Sequence, residues 1–312
     1  AAAFGEDVAL SRIEEGILVS HVDPIIGAID TIGWLGVHVA CNDIATSGAP
    51  PRWILVLVLV PGEEDEDLLE KIMRQVDAAA RQLNVSVIGG HTGYSSGISR
   101  PLVAVTALGT LSDREPILSS GAQIGDHILV SKGIALEGTA ILAHDFARTA
   151  RRLGITDEEL NEAGQLLKKV SVVPEAIALG GNGATAMHDV TRGGLLEALL
   201  EIALLSGVGM EIKKDRIWIP PVVERFSDAF DFNPMKMISS GTLVATIPPS
   251  KLEKCCRLLE EISVHCTDIG RVIEGKGVNV WEKETISHCE TIHCENDELA
   301  RMWEIHKPDQ KG

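Results

Sequence analysis

The chain has 312 residues, with 28 lysines and arginines against 45 aspartates and glutamates, a formal net charge of -17 and 45% apolar residues. Length and apolar content predict about two folded domains, each with its own core, and exclude disordered and collagen-like classes. So acidic a surface repels phosphate backbones and anionic lipid, which argues against nucleic acid and membrane partners but leaves room for a small anion in a local site.

In chain order, Ile17 to Val22 reads as a strand, Ile29 to Ser47 as an apolar helix, and Trp53 to Val60 as a buried strand ended by Pro61. That run is the longest apolar stretch and falls far short of the ~20 residues that cross a bilayer. Leu68, Leu69, Ile72, Val76, Ala79, Ala80 and Leu83 recur at three- and four-residue steps, so Asp65 to Asn84 is an amphipathic helix with acidic residues in its first turn. Val85 to Ile88 and Leu102 to Leu108 follow as strands, with Gly89-Gly90 and Tyr94 to Gly97 as turns. Around Ser112 to Gly121 a small-residue stretch with Pro116 interrupts the periodicity, and the domain boundary is expected there, giving domains 1–115 and 116–312.

The second half repeats the alternation. His127 to Ser131 is a strand and Gly138 to Leu153 a helix, and Thr156 with Glu159 three residues on has capping-box spacing for another. Leu195 to Ser206 and Ser250 to Ile262 read as helices, and Thr242 to Ile247 and Val264 to Ile273 as strands. The outcome is a two-domain α/β or α+β protein without internal repeats. No basic-then-apolar export signal opens the sequence, although it begins at Ala1 without a methionine, and six cysteines in this length suit a reducing, cytoplasmic compartment where they stay thiols.

Acidic residues beside glycine or at the ends of apolar runs carry the chemical signal: Asp7, Asp23, Asp43 after Asn42, and Asp189 in the run from His188 to Gly194. Magnesium takes oxygen ligands, usually one or two carboxylates with substrate phosphates and water, so carboxylates converging from separate elements would hold a metal-bound nucleotide. Each has an ordinary alternative: an Asx turn at Asp23 before Pro24, a solvated helix residue at Asp43, a helix cap at Asp189. Gly193-Gly194 opens an apolar helix, where unpaired N–H groups and the helix dipole suit phosphate, or where glycine simply eases helix entry. Gly133 to Thr139 lacks the lysine of a P-loop, and no dinucleotide-binding glycine fingerprint is present. His288-Cys289 and His293-Cys294 could bind zinc but lack a C-x-x-C spacing, and Cys255-Cys256 on an amphipathic helix reads as packing rather than redox chemistry, because adjacent thiols cannot both face one partner.

GED at Gly5 to Asp7, HVDP at His21 to Pro24, ACNDIATSGAPP at Ala40 to Pro51, IGGHT at Ile88 to Thr92, GDHILVSKGIALEGTAILA at Gly125 to Ala143, MHDVTRGGL at Met187 to Leu195, SSGTL at Ser239 to Leu243 and DIGRV at Asp268 to Val272 stand in order along the chain. Together they resemble the aminoimidazole ribonucleotide synthetase-related (PurM-like) superfamily, most of all the hydrogenase-maturation HypE proteins and their archaeal relatives, with thiamine-monophosphate kinase and selenophosphate synthetase as cousins. The resemblance implies an α+β two-domain PurM-like fold. Its N-terminal α+β domain pairs with a second copy into a barrel, its C-terminal domain is α/β, and nucleotide lies between the domains near the dimer interface. It further implies ATP and Mg2+ as cofactors, Asp7, Asp23, Asp43 and Asp189 as the metal carboxylates, and Asn42, His91, Arg192, Gly193 and Gly194 around the nucleotide. The implied chemistry is ATP-dependent phosphorylation or dehydration of an amide- or thioamide-type or other small or partner-borne acceptor, which needs positioning and charge neutralisation more than a nucleophile.

Three departures stand beside it. His91 occupies a position where several members have aspartate, which lowers the negative charge there. The sequence starts almost at the first motif, so the leading segment that helps enclose the nucleotide in relatives is expected to be missing or removed. HypE proteins end in a cysteine that carries the group being dehydrated, whereas this chain ends Lys307 to Gly312, so a self-modifying tail is not expected and Cys294, the nearest cysteine, is not expected to replace it. A catalytically degenerate nucleotide-binding maturation scaffold and a thiamine-monophosphate-type kinase are the alternatives.

Overall fold

A computed structural model describes residues 6–26, 30–62, 66–291 and 297–306. The chain divides into two compact units, Ala1–Pro116 and Ile117–Gly312. In the first, β1 (Ala9–Ile13), β2 (Gly16–Ile25), α1 (Ile32–Thr46), β3 (Pro51–Val60), α2 (Glu66–Leu83), β4 (Ser86–Tyr94) and β5 (Leu102–Leu111) build a five-stranded sheet in the order β1-β2-β5-β3-β4. Alternation along β3 buries Ile54, Val56, Val58 and Val60 and leaves Leu55 and Leu57 exposed, so one face is core and the other is open. Val103, Val105 and Ala107 of β5 continue the buried face. Each of these buried valine and isoleucine side chains contributes about 1.5–3 kcal/mol on leaving water. Nearly every residue of α1 is buried, because it packs on both this face and α2.

Two expectations about this unit change. β2 does not stop at Asp23 but continues through Pro24, which pairs with Ala104 of β5 on one side while β1 pairs only as far as Ser20 on the other. Proline is tolerated where its missing N–H is not needed by a neighbouring strand. Gly89-Gly90 is not a turn but lies inside β4, where the β3–β4 register shifts between Ile54 and Leu55. Gly90 has φ +151, and a Cβ there would lie 2.0 Å from the Val56 carbonyl oxygen, so this bulge requires glycine.

In the second unit the described elements are β6 (His127–Ser131), α3 (Leu136–Asp145), α4 (Ala147–Arg152), α5 (Asp157–Gln165), α6 (Val173–Gly180), β7 (Ala186–Asp189), α7 (Gly194–Ser206), β8 (Gly209–Lys213), α8 (Pro221–Phe230), β9 (Leu243–Ile247), α9 (Leu252–Glu261), β10 (Cys266–Ile273), β11 (Gly277–Glu282), β12 (Thr285–Cys289) and α10 (Glu298–Ile305). The seven-stranded sheet runs β12-β11-β8-β10-β6-β9-β7 and is mostly antiparallel, with a parallel β8–β11 pair. Its central strands β6 and β9 are buried at every position, and α7 packs its Leu195, Leu199, Ile202 and Ala203 into the core with Ile128, Val130 and Val244. The helix expected over 138–153 is broken at Phe146, whose φ of -126° leaves the helical range while its buried ring meets Trp303 edge-on at 5.2 Å. The capping box at Thr156 and Glu159 is formed in both directions and starts α5.

Candidate functional site

β2 carries His21 and Asp23 two residues apart, so both point to the α1 side of the sheet, in register with buried Ala107 and Val105. From α1, Asp43 meets them: His21 Nε2 lies 3.3 Å from Asp43 Oδ2, and one ligand atom from each of His21, Asp23 and Asp43 lies within 4.8 Å of the others. The Nδ1 of His21 bonds the backbone carbonyl of Asp7. Thr46 ties the group further, donating its hydroxyl to the Asp43 carbonyl at 2.7 Å and lying 3.3 Å from Asp7 Oδ2. Asp7, Asp23 and Asp43, from the segment before β1, from β2 and from α1, are therefore gathered in one half-buried acidic group with His21 at its centre.

The electrostatics fit such a gathering. Burial pushes the Asp23 carboxyl above its ordinary range, with His21 opposing. The Cys41 thiol is pushed up to about 12, first by burial and then by the charge of Asp43. Asp43 is 7% exposed, so it is not a solvated helix residue, and Asp23 lies inside a paired strand rather than in an Asx turn. Asn42 on α1 is fully buried. A search for acidic residues alone passes over His21 and Thr46, yet the i, i+2 spacing of His21 and Asp23 on a strand is a readable sign that they share a face.

His91 is not with this group. In register, Asp23, Val105, Val56 and Gly90 form one row across the sheet, and Pro24, Ala104, Leu57 and His91 form the next, so His91 lies on the open face. A Cβ on Gly93 would lie 3.5 Å from the His91 ring and 3.6 Å from Leu59, which confirms the side.

The second unit holds Asp189 at the end of β7, fully buried. It does not cap α7, whose N-cap is Gly193 without a side-chain cap. The adjacent His188 faces oxygen at both ring nitrogens, its Nδ1 2.6 Å from the Asp189 carbonyl and its Nε2 2.9 Å from Glu201 on α7. Gly193 and Gly194 have φ of +75° and +69°, and a Cβ on Gly194 would lie 2.6 Å from the Met235 carbonyl oxygen. A Cβ on Gly193 would fall 1.6 Å from the Glu197 carboxylate, which folds back over the start of its own helix, where the dipole favours an anion. Arg192 is engaged through Nε by Asp297, 3.1 Å away, the N-cap of α10. His288 is held by Asn279 and Glu290 at 2.7 and 2.9 Å. His293, Cys294 and the Lys307 to Gly312 tail lie outside the described residues.

The acidic group is made of hard oxygen donors on rigid elements and suits a hard divalent cation better than zinc. A Methanocaldococcus jannaschii protein assigned by its name to hydrogenase expression/formation is 30% identical over 240 residues, 77% of this chain and 69% of the relative. The carbamoyl dehydratase HypE of Bradyrhizobium diazoefficiens is 28% identical over 258 residues, 79% of this chain and 71% of the relative. Among solved structures, a hydrogenase maturation protein HypE in complex with ATP superposes with a TM-score of 0.73 at 21% identity, covering 91% of this chain and 89% of that one. No described helix is long and apolar enough to cross a membrane. Residues 5–111 match the N-terminal domain of the AIR synthase related proteins and residues 123–283 the C-terminal domain, and with both domains in order on the mixed helix-and-sheet fold expected of it, the chain belongs to the AIR synthase related family.

Proposed function

We propose that this chain is a cytoplasmic, ATP- and magnesium-dependent enzyme that phosphorylates or dehydrates a small or partner-borne acceptor of amide or thioamide type. The observation that carries the reading is the gathering of Asp23 and Asp43 around His21, with Asp7 joined through Thr46. Asp7, Asp23 and Asp43 are the proposed magnesium carboxylates of the first unit, and Asp189 is proposed as a carboxylate of the second unit that can hold the ion in its own right. Their oxygens fit the ion, which would neutralise charge on the transferred phosphoryl group. His21 is a positioning residue here, since magnesium prefers oxygen and both its ring nitrogens are used by Asp7 and Asp43. Asn42, Arg192, Gly193 and Gly194 are proposed to adjoin the nucleotide, whereas His91, on the open face, is not. Relatives named for carbamoyl dehydration support the acceptor class.

A second copy of the chain is the proposed partner of the open sheet face, where Val22, Leu55 and Leu57 are 58%, 38% and 36% exposed. Sedimentation of the wild type against Leu57→Glu tests the pairing. Titration calorimetry with magnesium and a non-hydrolysable ATP analogue tests the site. The expected result is magnesium-dependent heat that falls at least about tenfold in affinity in Asp43→Asn, whose fold is checked by circular dichroism. Absence of any magnesium dependence in the wild type would overturn the reading. The position of His91 on the open face, away from the acidic group, favours one competitor, a nucleotide-binding scaffold without turnover. Sustained phosphate release with an amide or thioamide acceptor excludes it, and a phosphorylated product that accumulates marks a kinase instead.

A further inference from the structure

Cysteine 256 has a partner that its sequence neighbourhood hides. On α9 the two adjacent cysteines diverge: Cys255 is fully buried with its thiol toward the Asn182 carbonyl at 3.8 Å, while Cys256 stays half-buried. After α9 the chain reverses at Ser263, φ +59°, and returns as β10, whose first residue is Cys266. The reversal brings the half-buried Cys266 beside Cys256 on the wall of one groove. The His265 carbonyl accepts from the Lys132 backbone at 2.7 Å, and Cys266 pairs with Ser131 in the β6–β10 ladder, so the returning segment is fixed. Both thiols line an open groove of about 410 Å³ together with Glu260, Ser263, Val264 and His265.

We propose that Cys256 and Cys266 form a reversible redox site in which a small neutral hydroperoxide converts the two thiols to a disulfide. Cys256 is the attacking sulfur: its thiolate takes the distal oxygen of the hydroperoxide, the O–O bond breaks, and the alcohol or water leaves with the proton. The resulting sulfenic acid is attacked by Cys266, the S–S bond forms, the S–O bond breaks, and the oxygen leaves as water with the Cys266 proton. Two thiols and one hydroperoxide thus give one disulfide, one alcohol or water, and one water. Cys266 is the second sulfur to react, because burial together with the neighbouring Cys256 pushes its thiol up to about 12 and keeps it protonated beside the groove. Glu260 beside the groove and the net charge of -17 disfavour anionic oxidants such as glutathione disulfide. Cys255 lies too deep to compete. The site stands independently of the proposed function.

The test treats the folded full chain with hydrogen peroxide or with glutathione disulfide, blocks remaining thiols, and digests with trypsin without reduction. The expected product joins peptide Cys255–Arg257 to peptide Leu258–Arg271, returns to thiols with dithiothreitol, survives in Cys255→Ser, and is lost in Cys256→Ser and Cys266→Ser. Peroxide is expected to form it at least about tenfold faster than glutathione disulfide at equal concentration. A link that persists in Cys256→Ser, or oxidation of Cys256 to sulfinic acid with no link in a chain that melts like the wild type, would overturn the proposal.

Discussion

Lys132 and Glu175 make a buried ion pair whose loss has a calculable cost. The ammonium sits 2.7 Å from Glu175 Oε1 and also donates to the carbonyls of Ser171 and Lys169 at 2.5 and 3.1 Å, which uses its three protons. Glu175 is fully buried; its Oε1 also accepts from Ser131 at 3.1 Å, while its Oε2 has no hydrogen-bond partner. Burial, opposed by Glu175, holds the Lys132 ammonium below its usual range. At an effective dielectric of about 20, opposite charges this close attract by about 6 kcal/mol before desolvation. Lys132→Met keeps length and volume but strands the carboxylate, for an expected loss of about 3–5 kcal/mol. At about 2–4 °C per kcal/mol for a unit of this size, the transition of the second unit in calorimetry falls by about 6–20 °C. Lys132→Met combined with Glu175→Leu removes both charges and is expected to recover most of that loss. A single variant costing under about 1 kcal/mol, or a double variant no better than the single, would refute the claim that the carboxylate is sealed from water.

Three further outcomes follow from local geometry. Gly194→Ala places a side chain at φ +69° with a Cβ 2.6 Å from the Met235 carbonyl oxygen, so urea unfolding should show a loss of at least about 1–2 kcal/mol, and a neutral result would mean that the helix entry moves freely. His144 is lowered from 6.5 by burial, against a hydrogen bond to Gly164, so the unfolded chain takes up the proton first. Stability of the second unit should therefore fall as pH drops from 6.5 through the lowered folded value, and His144→Gln should flatten that segment of a melting-temperature profile. Cys41, buried with its thiol near 12, should resist a disulfide-exchange thiol reagent in the folded chain at neutral pH and react only on unfolding.

The elements best legible in the sequence are those whose burial is periodic or continuous. α2 is amphipathic over its whole length, and the structure gives Glu66–Leu83 where the spacing predicts Asp65 to Asn84. β6 coincides with its expected bounds because an unbroken apolar run, Ile128 to Val130, lies between His127 and Ser131 and all five residues are buried. The helix break at Phe146 was not legible, since what interrupts the helix is a ring packed on Trp303 far along the chain. For the same reason Cys255-Cys256 reads as packing: that holds for Cys255, but the neighbour of Cys256 in its groove arrives on β10 and no local spacing announces it.

The candidate site divides on the same principle. Asp23 and Asp43 are named by motif, but their meeting depends on α1 crossing β2, and His21 becomes visible only once strand alternation is applied to the HVDP run. His91 shows how little it takes to mislead: the single extra residue between Val87 and Gly89, opposite Ile54 and Leu55, reverses which face the rest of β4 presents. Without that bulge His91 would share the face of His21 and Asp23. With it, the sheet itself separates the imidazole from the acidic group, because side chains on opposite faces of a strand layer point away from each other. Within one chain His91 and the pair Asp23 and Asp43 therefore cannot hold the same ion, and any contact of His91 with a nucleotide has to be made on the open face, beside Leu57 and Leu59.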